Sequence, residues 1–362
     1  MTDRQVLLIH GIDYKKMTLE LMEASGLAEE YSDKSLRIGI KPNLVVAAPA
    51  SSGATTHPEL VEGVIEYWQK KGFANLCVLE GSWIGARTDE AYRVSGIGEV
   101  CRRCGVPYYD LQKDSGCTVE AAGMKLRICK RVQELDLLIN MPVVKGHCQT
   151  RMTCALKNCK GLIPNDEKRR FHAMGLHRPI GHLAAAMPPM FCLVDNICGD
   201  LDFEEGGNPV EVNRIYACKD PVLCDAFACQ SMGWDRADVP YIGIAEAAGI
   251  GSADVEHAEV ILLNRPQTAP PQHMSYRVRE LAGYTRPEKA CSACYGALIH
   301  ALDRMEKNCS SYIGDIPPLC IGQGYRGQCG EVGIGNCCCK FSRYVKGCPP
   351  SSKDILAFLE ML

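Results

Sequence analysis

Two stretches of this sequence bring together residue types that can do chemistry. The first is PVVKGHCQTRMTCALKNCKG, residues 142–161. Lys145 and His147 are its candidate acids or bases, because surroundings readily bring an amine or an imidazole to ionise near neutrality. Lys160, Arg169 and Arg170 add positive charge, and His172 and His177 follow. Together they read as a seat for a small anionic substrate such as a carboxylate. A helix starting near Gln149 would place Cys154 and Asn158, four apart, on one face. The plainer alternative makes residues 166–170 a solvated surface and His182 a core side chain. Cys148, Cys154 and Cys159 beside His147 match no strong metal-ligand spacing.

The second stretch is the tail. The chain has 22 cysteines. Some, such as Cys77 and Cys192, sit in apolar runs and read as buried free thiols. The cysteines from Cys291 to Cys348 are much denser. Cys291 and Cys294 form a CxxC before a helical pattern, where helix N–H groups favour thiolate. Cys337, Cys338 and Cys339 are adjacent, so an extended backbone would turn Cys337 and Cys339 to one side and Cys338 to the other. Cys348 precedes a double proline. The expected ligands of a [4Fe–4S] cluster are Cys291, Cys294, Cys339 and Cys348, with Cys337 as the alternative third ligand. Structural zinc and a redox dithiol are the competing readings. A flavin or second metal cofactor is left open, because no sequence feature marks its site.

These residues need a scaffold. QVLLIH, LRIGIK, NLCVLE, DLLINMP, MFCLVD and AEVILLN are short apolar runs bounded by polar residues, the mark of buried strands. Helical patterns such as PELVEGVIEYWQKKG lie between them, with Pro58 in the first turn and Gly72 past the end. The fold class expected is α/β, a mostly parallel sheet flanked by helices, with a small C-terminal cysteine-rich α/β region. Residues 118–133 read as a hairpin turning at Gly123. The division expected is 1–262 for the α/β domain, 263–290 for a linker or surface crossing and 291–362 for the cluster-binding region. Ligands of such sheets bind beyond the carboxyl ends of the strands, where the loops after LRIGIK, NLCVLE and DLLINMP fall.

Composition narrows the function classes. Net charge is −3 and aromatic residues are 7%, which argues against a nucleic-acid surface. No apolar run approaches the length of a membrane span and the N-terminus lacks a signal-peptide pattern, so a cytoplasmic location is expected. No GxGxxG or GxxxxGK[ST] motif is present, which disfavours dinucleotide and P-loop chemistry.

The stretches IGIKPNLV (38–45), INMPVVKGH (139–147), TCALKNCKGLIP (153–164), DNICG (195–199) and CKDPVLCDAFACQSMGW (218–234) resemble the DUF362 proteins, a group often found in anaerobic bacteria and archaea. Many members of that family look like ferredoxin fusions; this tail lacks their tight CxxCxxCxxxCP runs. The family also looks distantly like the lactate racemase class of α/β proteins. The resemblance implies that Lys41, Asn43 and Asn158 orient a ligand or cofactor on the same rim as Lys145 and His147. It also implies that Asp195 holds a cation or orients a base, and that Asp220 and Asp225 are structural, with reaching the rim as the alternative for Asp225. The function expected is an iron–sulfur oxidoreductase or electron-transfer protein acting on a small anionic molecule or a redox partner protein. The alternative is a non-redox isomerase or lyase of a small carboxylate, or a metal carrier.

Overall fold

The computed structural model describes residues 1–265, 277–290, 292–308 and 316–362. The chain packs as two units. One comprises Met1–Lys168 and His177–Met274, the other Arg169–Leu176 and Ser275–Leu362.

In the first unit the strands are β1 (Gln5–His10), β2 (Ile38–Pro42), β3 (Leu76–Glu80), β4 (Tyr108–Asp110), β5 (Gly116–Ala121), β6 (Met124–Cys129), β7 (Leu137–Met141), β8 (Lys145–His147), β9 (Arg151–Thr153), β10 (Met190–Asp200), β11 (Pro209–Cys218) and β12 (Glu259–Leu262). Eight of them form one sheet in the order β12-β1-β11-β10-β7-β2-β3-β4. Only β11 runs antiparallel to its neighbours, β1 and β10; the other pairings are parallel. All six apolar runs read as strands lie in this sheet. Their continuous hydrophobicity suits strands covered on both faces.

Helices Tyr14–Ser25 and Pro58–Lys70 pack on one face, where Leu21, Leu60, Val64 and Trp68 are fully buried with Ile38, Ile40 and Ile139 of the sheet. Each such side chain contributes about 1.5–3 kcal/mol of transfer free energy. Asp13 caps the first helix by accepting from Lys16 N at 3.1 Å, and Pro58 opens the second. The hairpin expected around Gly123 is β5–β6, and Gly123 takes φ 74° in its turn.

The segment after β7 departs from expectation. No helix begins at Gln149. Residues 145–153 form the antiparallel hairpin β8–β9, and the helix starts only at Ala155. Thr150 and Gln149 donate their backbone N–H groups to His147 Nδ1. That local bonding closes a turn where side-chain spacing alone favoured a helix.

The second unit holds a parallel sheet of β13 (Thr285–Pro287), β14 (Leu319–Ile321), β15 (Val332–Ile334) and β16 (Arg343–Val345). Helices Ser292–Asn308 and Ser352–Leu359 pack together there. Ser351 Oγ caps the latter by accepting from Asp354 N at 3.1 Å.

Candidate functional site

Polar side chains collect at the carboxyl ends of β2, β3 and β7. Lys41 and Asn140 are register partners on β2 and β7. Lys41 Nζ donates to Glu80 Oε2 at 2.7 Å, Pro42 O at 2.7 Å and Asn158 Oδ1 at 3.0 Å. Asn43 Nδ2 donates to the same Asn158 oxygen at 3.0 Å, and Asn158 Nδ2 reaches Asn140 Oδ1 at 2.7 Å. Glu80 also accepts from the backbone N of Leu44 and Gly81. The loop after β2, the end of β3 and helix Ala155–Asn158 are thereby tied into one buried network. Asp225 caps that helix, taking Leu156 N on Oδ1 at 3.2 Å.

Beyond this network lies a cationic seat. Lys145 is fully buried, and its Nζ donates to Asn43 Oδ1 at 3.1 Å, Ala54 O at 2.5 Å and Glu204 O at 2.9 Å. All three ammonium protons therefore have acceptors. Burial lowers its pKa to about 8. Lys157 Nζ bonds Thr153 Oγ1 at 3.0 Å and pairs with Glu204 Oε1. His147 Nε2 stands 3.1 Å from Glu204 Oε2 but is out of line for a hydrogen bond, so this buried ring atom has none. Because His147 Nδ1 accepts two backbone N–H groups, the ring proton sits on Nε2. Burial, and then the Lys157 ammonium, lower His147 to about 4. His147 is thus a neutral donor at physiological pH, its Nε2–H beside the Glu204 carboxylate without bonding to it. Lys160 takes part in no hydrogen bond or ion pair among the described residues and keeps part of its surface open. Burial and the neighbouring Lys157 charge bring it down to about 7. Lys168 donates to Gly81 O and Ser82 O, both at 2.8 Å, and burial lowers it to about 8.

Asp195 is placed differently from Lys41, Asn43 and Asn158. It grips His57: Oδ2 accepts from His57 N and faces His57 Nδ1, each at 2.8 Å. Glu80, Glu204, His57 and Lys168 are participants that the sequence reading did not single out. For Glu80 a signal existed, a carboxylate closing an otherwise apolar strand.

The tail does not gather its thiols as expected. Cys291 lies outside the described residues. Cys294 stands in the first turn of its helix and is half-buried, as is Cys337. Cys338 is buried against Gly333, and its Sγ donates to Cys320 O at 3.4 Å. Cys339 and Cys348 are exposed. The triplet is not extended: Asn336–Cys338 forms a 3-10 turn between β15 and β16, which buries Cys338, leaves Cys337 half-buried and exposes Cys339. Among the described residues the metal-ligating atoms that come within 4.8 Å of one another are those of Cys154, Cys224 and Asp225, in the first unit, and not those of the tail. The expected [4Fe–4S] cluster, with the flavin or second metal left open beside it, is therefore withdrawn. So is the iron–sulfur oxidoreductase or electron-transfer function that rested on it. The Cys154 group offers three of the four donors that structural zinc takes. Burial pushes the Cys154 thiol up to about 11, which keeps it neutral, and the Asp225 carboxyl up to about 7, so it ionises only near neutrality.

Residues 38–230 match the family described as domain of unknown function (DUF362), and the chain belongs to that family. A thylakoid-associated protein of Synechocystis sp. is 24% identical over 250 residues, covering 65% of this chain and 75% of that protein. The lactate racemase apoprotein from Thermoanaerobacterium thermosaccharolyticum superposes with a TM-score of 0.43 and 16% identity, over 64% of this chain and 58% of that one. A Thermotoga maritima protein gives a TM-score of 0.38 and 13% identity, over 66% and 60%. The chain thus spans less than two thirds of the length of either solved structure. Among the described residues no helix is long and apolar enough to cross a membrane.

Proposed function

We propose that this chain is a non-redox enzyme of the isomerase or lyase type that moves a proton on a small carboxylate. One observation carries the reading: the cationic seat already holds a carboxylate, that of Glu204, between Lys157 and His147. Glu204 belongs to the loop 201–208, whose base is tied by Asp200 accepting from the backbone N of Asp202, Phe203 and Asn208. A substrate carboxylate of the same shape would take its place with the same partners. Lys157 supplies the countercharge, and His147 Nε2–H donates to a substrate oxygen without giving up its proton. Lys160, ionising near neutrality and free of hydrogen bonds, exchanges the proton at carbon. Lys41, Asn43, Asn158 and Lys145 hold the rim in place.

The test is proton exchange in D2O with a panel of small 2-hydroxy carboxylates and dicarboxylates, followed by proton NMR. Enzyme-dependent loss of a Cα–H signal, abolished in Lys160→Met, is the expected result. If no member of the panel exchanges, and none binds the wild type more tightly than Lys157→Met, the reading falls.

A further inference from the structure

A second constellation adjoins the rim. His57 Nδ1 lies 2.8 Å from Asp195 Oδ2, and on the other side of the ring His57 Nε2 lies 3.8 Å from Cys198 Sγ. The order thiol, imidazole, carboxylate is the order in which a nucleophile, its base and the group orienting that base must stand.

The backbone is bent to achieve it. Asp195 and Cys198 are three apart on β10, so a regular strand would point them to opposite faces. The register of β10 against β11 shifts between Asn196 and Cys198, and this bulge brings both side chains to one imidazole. Bulges re-aim side chains in this way beside active sites. Exposure is graded to match. Asp195 is 0% exposed, whereas Cys198 keeps 6% and His57 7%. Asp195 is locked further by Ile197 N donating to Oδ1 at 3.1 Å.

We infer that Cys198, His57 and Asp195 form a covalent acyl-transfer site for a small activated acyl group, with Cys198 as nucleophile, His57 as proton carrier and Asp195 as the positioning residue. Cys198 passes its thiol proton to His57 Nε2, its sulfur attacks the acyl carbon and a C–S bond forms. The bond to the leaving group breaks, and the leaving group departs with the proton that His57 Nε2 holds. Water then gives a proton back to His57, its oxygen bonds to the acyl carbon, and the C–S bond breaks to restore the thiolate. Burial alone would lower the His57 pKa, but the Asp195 carboxylate more than offsets it and raises it to about 10. That favours an imidazolium beside the sulfur. The other titratable group against the pair is Tyr14, which packs edge-on to the His57 ring with centroids 5.2 Å apart and itself feels the charges of Cys198, Glu211, Asp195 and Glu59. This site does not rest on the proton-transfer reading of the lysine-lined seat.

The experiment uses the full chain with p-nitrophenyl acetate. It reads the p-nitrophenolate burst, and it reads the acetylated peptides by mass spectrometry before and after neutral hydroxylamine, which cleaves thioesters but not amides. The expected result is a burst near one per chain, a hydroxylamine-labile acetyl group on Cys198, and a burst rate at least tenfold lower in His57→Ala. Asp195→Asn should keep the adduct but move the alkaline limb of the burst's pH profile downward by a unit or more, because His57 then loses its proton at lower pH, which loss of a merely structural contact would not do. Acetylation of Cys198 no faster than that of buried Cys192 overturns the inference, as does a burst unchanged by His57→Ala or an acetyl group found only on lysines. Should His57→Ala fail to fold, Cys198→Ala decides alone, and a burst that survives it refutes the assignment.

Discussion

Lys41 Nζ and Glu80 Oε2 stand 2.7 Å apart with both side chains out of water. The pair joins the carboxyl ends of β2 and β3, and each member carries further bonds into the network: Lys41 to Asn158, and Glu80 to Leu44 N and Gly81 N. Removing one partner strands the other. Glu80→Ala leaves Lys41 charged and buried, so it should lower unfolding stability by about 3–5 kcal/mol. Urea denaturation measures this directly. The double variant Lys41→Met with Glu80→Leu should recover part of the loss. If the two single losses simply added, the pair would not be coupled.

Gly161 shows how tightly the same pair is packed. A β-carbon there would land on Glu80 Oε1, with Lys41 Cε 2.6 Å and Nζ 2.8 Å away. Neither side chain can withdraw without losing its partner. Gly161→Ala should therefore destabilise by about 1–3 kcal/mol, as overpacking does, despite the better helix propensity of alanine. A midpoint of denaturation unchanged from wild type would show that the rim yields.

Much of this rim was legible because polar residues that close apolar strands have nowhere to go but the strand ends. Lys41, Asn43, Lys145 and His147 follow or close such runs; Asn158, singled out by the family resemblance and ending the helix Ala155–Asn158, bonds Lys41 and Asn43, and Asn43 bonds Lys145. Glu204 and His57 were not legible. Glu204 lies in a glycine-rich loop without periodicity, and its position depends on Asp200 binding three backbone N–H groups that a linear reading cannot foresee. Cys198 shares a face with Asp195 only through the β10 bulge, which the sequence does not announce. The tail misled in the opposite sense. Cysteine density suggests convergence, but the triplet folds as a 3-10 turn instead of an extended stretch, and that turn buries Cys338 while Cys339 stays exposed.

The Glu204 carboxylate predicts its own competition. If it occupies the substrate's place, Glu204→Ala vacates the seat while Lys157, Lys160 and His147 stay. Titration calorimetry with the small carboxylates of the proton-exchange panel should then show at least tenfold tighter binding than the wild type. Equal or weaker binding would mean that Glu204 helps to build the seat instead of filling it.

Lys160 gives a pH signature with a definite sign. Its pKa is about 7 in the folded chain against 10.5 when exposed. Below pH 7 both states hold the proton, and the folded state bears the full penalty of a crowded, poorly solvated ammonium. Between pH 7 and 10.5 the unfolded chain binds more protons, so this residue makes stability rise with pH. His57 acts oppositely. Its folded pKa of about 10 lies above the ordinary 6.5, so its contribution is lost as pH rises through the same window. The wild-type curve therefore mixes the two, and the comparison with Lys160→Met separates them. That variant lacks the penalty and should exceed the wild type most at pH 6. The gap should narrow steadily from pH 7 upward. Urea midpoints at half-unit steps from pH 6 to 9.5 read the difference, because every other titrating group is common to both proteins. A gap independent of pH would place the Lys160 amine at an ordinary lysine pKa, and the proton-transfer role assigned to it would be lost.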